Sequence, residues 1–253
     1  MKDYDIVVKE RYDKEQIGGE KTISNVYSMF NNTGFCGAMN EYALLRKIIR
    51  FITVKTCKLP SELRLLDVGC GKGVVTRMLS ELVESPQNIF GTELSANRIA
   101  HCKKMNGSID VRYADITRPL PFDFSFDCAF SFDVLMHLKT KEQVEAALNN
   151  IYSNIDGRGY LLWYDPNVHS HFDDADNDSD GTGFSEKEML AFAGKAGFKK
   201  VKLMHFYKQA KIGHFHISTY YMNRLPPTVI ALLSSLLLPP LFKPVINCIL
   251  FRK

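Results

Sequence analysis

Several features that mark common protein classes are missing from this 253-residue sequence. Its six cysteines include no C-x-x-C pair, so the sequence shows neither a zinc-site pattern nor a disulfide framework, and we expect free thiols. The 32 basic and 28 acidic residues nearly balance, with no basic arm or stripe, so nucleic acid is not an expected partner. Residues 1–16 carry charges where a signal peptide requires an apolar segment. We therefore expect a cytoplasmic protein.

The chain also lacks a long uninterrupted apolar run. Its most apolar stretch, residues 225–251, is cut by five prolines. Because a bilayer span needs about 20 continuous apolar residues, we predict no transmembrane segment. We predict instead a buried helix at 228–238 and a final strand at 245–251, and contact with a membrane surface is the alternative interpretation. Nothing in the sequence bears on the oligomeric state.

Apolar, β-prone runs alternate with amphipathic segments between residues 60 and 206. The predicted strands are 63–69, 88–94, 109–115, 126–132, 159–165 and 199–206. The predicted helices are 74–84, 95–105, 141–155 and 185–197, the last with a capping box of Ser185 and Glu188 and with Gly197 at its end. Strands that alternate with helices predict an α/β fold, in which helices cover both faces of a largely parallel sheet.

The flanking segments complete the predicted organisation. Residues 1–59 are expected to form a helical lid that covers one edge of the sheet, because the stretch NEYALLRKIIRFI has amphipathic spacing. Residues 60–206 form the predicted core. Residues 207–253 contribute the last helix and strand.

Three glycines fall within five positions directly after the first predicted strand, in LLDVGCGKG. Ligands bind at the carboxyl ends of strands in open α/β sheets, where such a turn presents backbone amides. Gly69 and Gly71 would let the backbone approach a ligand, and Gly73 would let the next helix pack close to the strand. The spacing is neither the dinucleotide pattern, since Val74 replaces the third glycine, nor a phosphate loop, since Lys72 precedes a glycine.

The segment DVGCGKG resembles motif I of the class I S-adenosylmethionine-dependent methyltransferases. Four later segments resemble further motifs of that family in the same order, namely IFGTEL, RYADI, FDCAFSFDVLMHL and GYLLWYDPN. The resemblance implies a Rossmann-like fold with a seven-stranded, mostly parallel sheet. It also implies S-adenosyl-L-methionine as the cofactor and S-adenosyl-L-homocysteine as the product.

The same resemblance assigns roles at the cofactor site. The glycine-rich turn would hold the methionine part of the cofactor, and Glu93 would accept hydrogen bonds from both ribose hydroxyls. Asp115 would contact the adenine amino group, with Ile116 beside the ring. The predicted cofactor-binding residues are Asp67, Gly69, Cys70, Gly71, Gly73, Glu93, Leu94, Asp115, Ile116 and Phe132.

Methyl transfer from a sulfonium requires positioning of the acceptor and no nucleophilic side chain. A hydroxyl acceptor benefits from a general base, and histidine suits that role near neutral pH. His137, after the fourth strand, is the predicted base, and an ordinary surface histidine is the alternative. Asp165 is the second predicted catalytic residue. Tyr164 and Asp165 are expected to face the crevice, with at least one of them in contact with the acceptor. Asp133 is expected either to orient the acceptor or to cap the following segment.

One acidic stretch has a partial metal-binding pattern. His169 and His171 precede the D-x-D-x-D-G run from Asp176 to Gly181, which begins like a calcium loop. Such a loop closes with glutamate at its twelfth position, which here is Lys187. We therefore predict a solvated loop and no metal.

A narrower resemblance concerns the acceptor. The segment LLWYDPN and the tail ending in VINCILFRK resemble bacterial methyltransferases of surface-polysaccharide gene clusters. This resemblance implies O-methylation of a sugar hydroxyl in a glycan or glycolipid precursor. The alternatives are N- or C-methylation of another small metabolite, or a catalytically silent scaffold that binds S-adenosylmethionine.

Overall fold

The computed structural model describes residues 32–107, 109–167, 172, 183–206, 211–212, 215–216, 229 and 246–253. The helices are α1 (Asn32–Thr56), α2 (Val74–Val83), α3 (Ala96–Asn106), α4 (Lys141–Asn154) and α5 (Glu186–Lys195). The strands are β1 (Leu65–Val68), β2 (Ile89–Glu93), β3 (Asp110–Tyr113), β4 (Phe126–Phe132), β5 (Ile155–Pro166), β6 (Lys199–Phe206), β7 (Lys211–Ile212), β8 (Phe215–His216) and β9 (Ile246–Arg252).

Seven strands form one sheet in the order β3-β2-β1-β4-β5-β9-β6. β9 runs antiparallel to both β5 and β6, and the other pairs are parallel. The predicted fold class is therefore confirmed. The chain reverses its direction of growth between β1 and β4, so the connections after these two strands diverge and leave a crevice at their carboxyl ends. The short β7–β8 hairpin was not predicted.

Helix α1 packs on a face of the sheet, and the prediction that it covers an edge is wrong. Leu45, Ile48 and Ile52 are at most 2% exposed and belong to one apolar cluster with residues of β1, β4 and β5. Their spacing gives an apolar stripe along one side of the helix. This stripe is shielded from water when it packs against a broad apolar surface such as a face of the sheet. Residues 1–31 of the predicted lid lie outside the described residues, and the division at residue 59 stays a prediction.

The two faces of the sheet are covered by different helices. Residues of α1, α2 and α3 share one apolar cluster, and residues of α4 and α5 share the other. This arrangement is the predicted one, with helices on both faces. It places the connections after β1, β2, β4 and β5 together at one end of the sheet, where the candidate site lies.

The C-terminal elements agree with the sequence pattern where they are described. Ser185 Oγ accepts a hydrogen bond from the Glu188 N–H at 3.3 Å, and the Glu188 carboxylate accepts one from the Ser185 N–H at 3.0 Å, so the predicted capping box begins α5. Gly197 adopts φ +101°, as expected after a helix. The predicted helix at 228–238 lies outside the described residues apart from residue 229. Among the residues that the structure describes, no helix is long and apolar enough to cross a membrane.

Candidate functional site

The glycine-rich turn after β1 requires glycine for two different reasons. Gly69, Gly71 and Gly73 have φ values of +64°, +54° and +83°. Residues with a side chain rarely adopt this left-handed backbone conformation. A Cβ on Gly69 would lie 2.7 Å from Val134 Cγ2, and one on Gly73 would lie 2.2 Å from Asn106 Nδ2. The close packing predicted for Gly73 is therefore against α3 and not against the strand. At Gly71 the nearest atom would be 3.7 Å away, so its backbone conformation is the requirement there.

Glu93 ends β2 with a carboxylate fixed by three backbone amides. The Gly71 N–H donates to Oε2 at 2.9 Å, and the Leu94 and Ser95 N–H groups donate to Oε1 at 2.7 and 2.8 Å. The residue is only 6% exposed. A carboxylate has about four acceptor sites, so capacity remains for hydroxyl donors. Glu93 also ties the glycine-rich turn to β2.

Asp67 of β1 is buried beneath the glycine-rich turn. It is 2% exposed, and its Oδ2 accepts a hydrogen bond from Thr76 Oγ1 at 2.6 Å. Burial raises the pKa of Asp67 to about 7, although the Thr76 hydroxyl opposes the shift. Cys70 and Cys102 are buried as well, at 7% and 0% exposure, and belong to one apolar cluster.

Asp115 and Ile116 form the turn after β3. Asp115 Oδ1 accepts hydrogen bonds from Thr117 N–H at 2.9 Å and Thr117 Oγ1 at 2.7 Å, and its Oδ2 lies 3.4 Å from Arg118 Nε. Ile116 is half-buried, and its carbonyl accepts a hydrogen bond from Asn150 Nδ2 at 3.0 Å. The carboxylate is thus held at the end of β3 beside an apolar neighbour.

The connection after β4 carries His137 in a short 3-10 turn, Leu135–His137. His137 is half-buried, and its N–H donates to the Val134 carbonyl at 3.0 Å. Asp133, before this turn, has φ +54°, which is uncommon for a residue with a side chain. Its N–H donates to the Tyr164 carbonyl at 2.9 Å, which joins the ends of β4 and β5. The residue that caps the turn is Val134 and not Asp133.

Tyr164 and Asp165 point to opposite faces of β5, and contact of at least one of them with the acceptor stays a prediction. Successive strand side chains alternate between faces, and these two are 2% and 0% exposed. Tyr164 stacks on Phe132 with ring centroids 4.6 Å apart, and its hydroxyl hydrogen-bonds to Glu41 of α1. Burial raises the Tyr164 pKa, and the charges of Glu41 and Asp133 raise it further.

Asp165 is enclosed on the other face. Trp163 Nε1 donates to its Oδ2 at 2.6 Å, and its Oδ1 has no hydrogen-bond partner among the described residues. Burial raises the Asp165 pKa well above its usual value, and the charge of Asp133 adds to that shift. The amides of Val134 and Met136 oppose the shift, so the carboxyl faces the turn that carries His137.

Sequence reasoning missed four residues of this region: Glu41, Thr76, Cys102 and Asn106. Thr76 lies on the buried side of the helix that follows the motif, a position that helical spacing from the turn would indicate. The other three meet the site only through packing of α1 and α3. Among the described residues there is no group of three or more His, Cys, Asp and Glu side chains that could hold a metal. Residues 168–171 and 173–182, with the predicted solvated loop, lie outside them.

Residues 65–159 match the family model described as "Methyltransferase domain". The methyltransferase YqeM of Bacillus subtilis (strain 168) is 27% identical over 153 residues, which cover 58% of this chain and 60% of that protein. The chain therefore matches somewhat less than two thirds of the relative's length.

Two solved structures share the fold at low sequence identity. Magnesium protoporphyrin IX methyltransferase from Synechocystis PCC 6803, with bound S-adenosylmethionine, superposes with a TM-score of 0.61 at 13% identity, covering 100% of this chain and 98% of that chain. The N-methyltransferase NodS from Bradyrhizobium japonicum WM9, in complex with S-adenosyl-L-homocysteine, gives a TM-score of 0.59 at 11% identity and 99% coverage of both chains.

Proposed function

We propose that this chain, whose residues 65–159 are a methyltransferase domain with S-adenosylmethionine as its cofactor, methylates a hydroxyl group of a sugar in a glycan or glycolipid precursor. One observation carries the part of the proposal that concerns the methyl donor. The Glu93 carboxylate at the end of β2 accepts a hydrogen bond at 2.9 Å from the Gly71 amide of the glycine-rich turn, which fixes its position. The acceptor half rests on the resemblance of LLWYDPN and the C-terminal segment to polysaccharide-cluster methyltransferases.

The residues at the carboxyl ends of β1, β2 and β3 fit a cofactor that contains a ribose, an adenine and a positive charge. Glu93 would accept hydrogen bonds from the ribose hydroxyls with its remaining lone pairs. Asp115 would accept one from the adenine amino group. The apolar neighbours of the cofactor would be Leu94, Ile116 and Phe132. Gly69, Cys70, Gly71 and Gly73 form the turn beside the methionine part, and Asp67 would support that turn from below through Thr76.

The bound cofactor supplies a methyl group already activated on a sulfonium, so the protein's task is to orient the acceptor and remove its proton. We assign proton removal to His137, which lies on the turn after β4. Tyr164, near the end of β5, and Glu41, within α1, would orient the acceptor. Because Asp165 is fully buried, we assign it a positioning role toward the turn that carries His137.

The acceptor is tested with methyl-labelled S-adenosylmethionine and a panel of free sugars, nucleotide sugars, lipid-linked sugars and amino sugars. We expect label in a base-stable ether on a sugar hydroxyl. Label on nitrogen or carbon would instead support methylation of another small metabolite. Cofactor binding without transfer to any panel member would support the silent scaffold.

His137→Ala tests the assigned base. We expect turnover on the identified acceptor to fall by roughly 10² to 10⁴, the usual contribution of general base catalysis, with the affinity for S-adenosylmethionine unchanged. His101→Ala, which changes a half-buried histidine of α3, is the matched control. If the turnover of His137→Ala stays within a few-fold of that of the unchanged protein, His137 is not the general base.

A further inference from the structure

The side of α1 that faces solvent carries three basic residues close together. Arg46, Lys47 and Arg50 are exposed and lie opposite the buried apolar stripe of the helix. Arg46 and Arg50 are four residues apart and Lys47 is next to them, so the three charges share one side of the helix. Glu41 is the only acidic residue of α1, and it is half-buried. We call Arg46, Lys47 and Arg50 the basic face of α1.

The charges of the basic face are not neutralised within the protein. Arg46, Lys47 and Arg50 make no ion pair with any residue that the structure describes. On the opposite side of the sheet, in contrast, Lys195 Nζ of α5 lies 2.6 Å from Glu145 Oε1 of α4. Like charges one turn apart on a helix repel each other. Contact with an anionic surface would relieve this repulsion.

Two strands add positive charge on the same side of the sheet. Tyr160 of β5 belongs to the apolar cluster that α1 shares, and Arg252 of β9 is its partner in the strand pair. Lys199 of β6 is in turn the partner of Arg252. Side chains directly opposite each other in paired strands share a face, and both cations are exposed. The positive surface is therefore assembled from three separate segments, and no single stretch of the sequence shows it.

Large apolar side chains are exposed at both ends of the basic face. Val54, four residues after Arg50, is 75% exposed, and Met39, seven residues before Arg46, is 51% exposed. These spacings place both on the side of the helix that carries the cations. Leu59, just after the helix, is 64% exposed. Cations bordered by apolar side chains suit a bilayer surface, where anionic headgroups lie above acyl chains. A nucleic acid offers phosphates but no apolar layer.

We propose that the basic face of α1 docks on a membrane surface that contains anionic lipids, and that docking holds the acceptor crevice next to lipid-linked acceptors. Helix α1 runs along β5. Glu41 is near Tyr164 at the crevice end of the strand, and Phe51 packs on Tyr160 at the other end, with ring centroids 5.6 Å apart. Arg46 follows Glu41 by five residues, which is about 8 Å along a helix. The effect on the acceptor rests on the proposed function, whereas docking itself does not.

Docking is tested by flotation of the full-length protein with vesicles of phosphatidylcholine and phosphatidylglycerol, and with vesicles of phosphatidylcholine alone. We expect binding to the anionic vesicles only, and loss of binding at high salt, which screens the charges. A basic residue near an anionic membrane contributes about fivefold to the affinity. The triple variant Arg46→Gln, Lys47→Gln and Arg50→Gln should therefore bind at least tenfold more weakly.

A second triple variant is the matched control. It removes the same charge from exposed positions of α4 and α5, on the other side of the sheet, by the changes Lys141→Gln, Lys187→Gln and Lys195→Gln. This control should bind anionic vesicles like the unchanged protein. Circular dichroism checks that both variants keep their helical content. On a lipid-linked sugar in anionic vesicles, the α1 variant should show a KM at least tenfold higher than the control, whereas both should methylate a free sugar equally.

Three outcomes would overturn the docking surface. These are equal binding to phosphatidylcholine alone, unchanged vesicle binding by the α1 variant, and binding to duplex DNA or RNA in preference to anionic vesicles. Methylation of free sugars without vesicle binding would overturn docking and leave the proposed function in place. Vesicle binding that depends on the basic face, by a protein that methylates no sugar, would contradict the proposed function and support docking.

Discussion

At the scale of single residues, Glu93 has the most constrained position in the site. Its two oxygens accept three backbone N–H groups, and it is almost fully buried. A carboxylate held in this way is oriented before any ligand arrives, so little entropy is lost when a hydroxyl binds to it. The same bonds mean that a change at Glu93 acts on the ligand and on the glycine-rich turn together.

Glu93→Gln is expected to weaken S-adenosylmethionine binding by about 1.5 to 3 kcal/mol, the scale for a hydrogen bond to a charged group. The amide replaces one acceptor oxygen by a donor and cannot satisfy all three backbone N–H groups. Calorimetry measures the affinity, with Glu81→Gln on the exposed side of α2 as the control. If Glu93→Gln and the control bind S-adenosylmethionine with equal affinity, Glu93 does not contact the cofactor.

Asp67 is expected to make stability depend on pH. Its pKa is about 7 in the folded protein, against the ordinary value of 3.8 that applies to the unfolded chain. The folded state therefore holds the proton more tightly, and the unfolding free energy contributed by Asp67 is lost as pH rises from about 4 to 7. Each pKa unit corresponds to about 1.4 kcal/mol, so the loss is a few kcal/mol.

Urea unfolding of Asp67→Asn between pH 4.5 and 8 measures this contribution. Asparagine stays neutral and still accepts from Thr76 Oγ1, so the difference from the unchanged protein should grow with pH in favour of the variant. Asp156→Asn, at an exposed position, is the control. Parallel pH profiles for Asp67→Asn and the unchanged protein would show that burial does not shift the Asp67 pKa.

At the scale of elements, α1 is part of the folded core. Its stripe of leucine and isoleucine packs with the residues of three strands, and its Glu41 reaches the hydroxyl of Tyr164. The helix thus supports the sheet and contributes a polar group at the end of β5. A segment that only covered the site would not need both kinds of contact.

Leu45→Ala is expected to lower the unfolding free energy by about 2 to 5 kcal/mol, because Leu45 is fully buried and the change leaves a cavity. Val54→Ala, on the same helix at 75% exposure, should change it by less than about 0.5 kcal/mol. Chemical denaturation measures both. A small effect of Leu45→Ala would mean that α1 detaches easily from the core. That is the behaviour expected if residues 1–59 form a separate lid.

At the scale of the whole molecule, the fold brings distant parts of the chain to one candidate site. A ligand that binds only the folded state stabilises the entire domain by mass action. Saturation at about 100 times the dissociation constant adds about 2.7 kcal/mol to the unfolding free energy. For a domain of this size the melting temperature should rise by roughly 5 to 10 °C.

Thermal unfolding with increasing S-adenosylmethionine tests this expectation. The rise should depend on ligand concentration, and Glu93→Gln should need more ligand for the same rise. Adenosine alone, which lacks the methionine part, should give a smaller shift at equal concentration. A melting temperature that does not respond to S-adenosylmethionine at any concentration would contradict cofactor binding by this chain.

The sequence by itself determined the order and type of the elements between residues 60 and 206 and the position of the glycine-rich turn. These features are local, because strand and helix periods extend over a few residues and the left-handed backbone at Gly69, Gly71 and Gly73 is a property of each residue. The capping box at Ser185 and the position of the last strand follow in the same way from short patterns.

Tertiary structure decided the features that depend on residues far apart in the chain. Neighbouring residues Tyr164 and Asp165 are both buried, on opposite faces, and α1 lies on a face of the sheet and not at its edge. The raised pKa of Asp67 arises only when α2 packs against β1 and buries the carboxyl group. Burial and long-range contact are properties of packing, and no local pattern of residues specifies which distant side chain completes them.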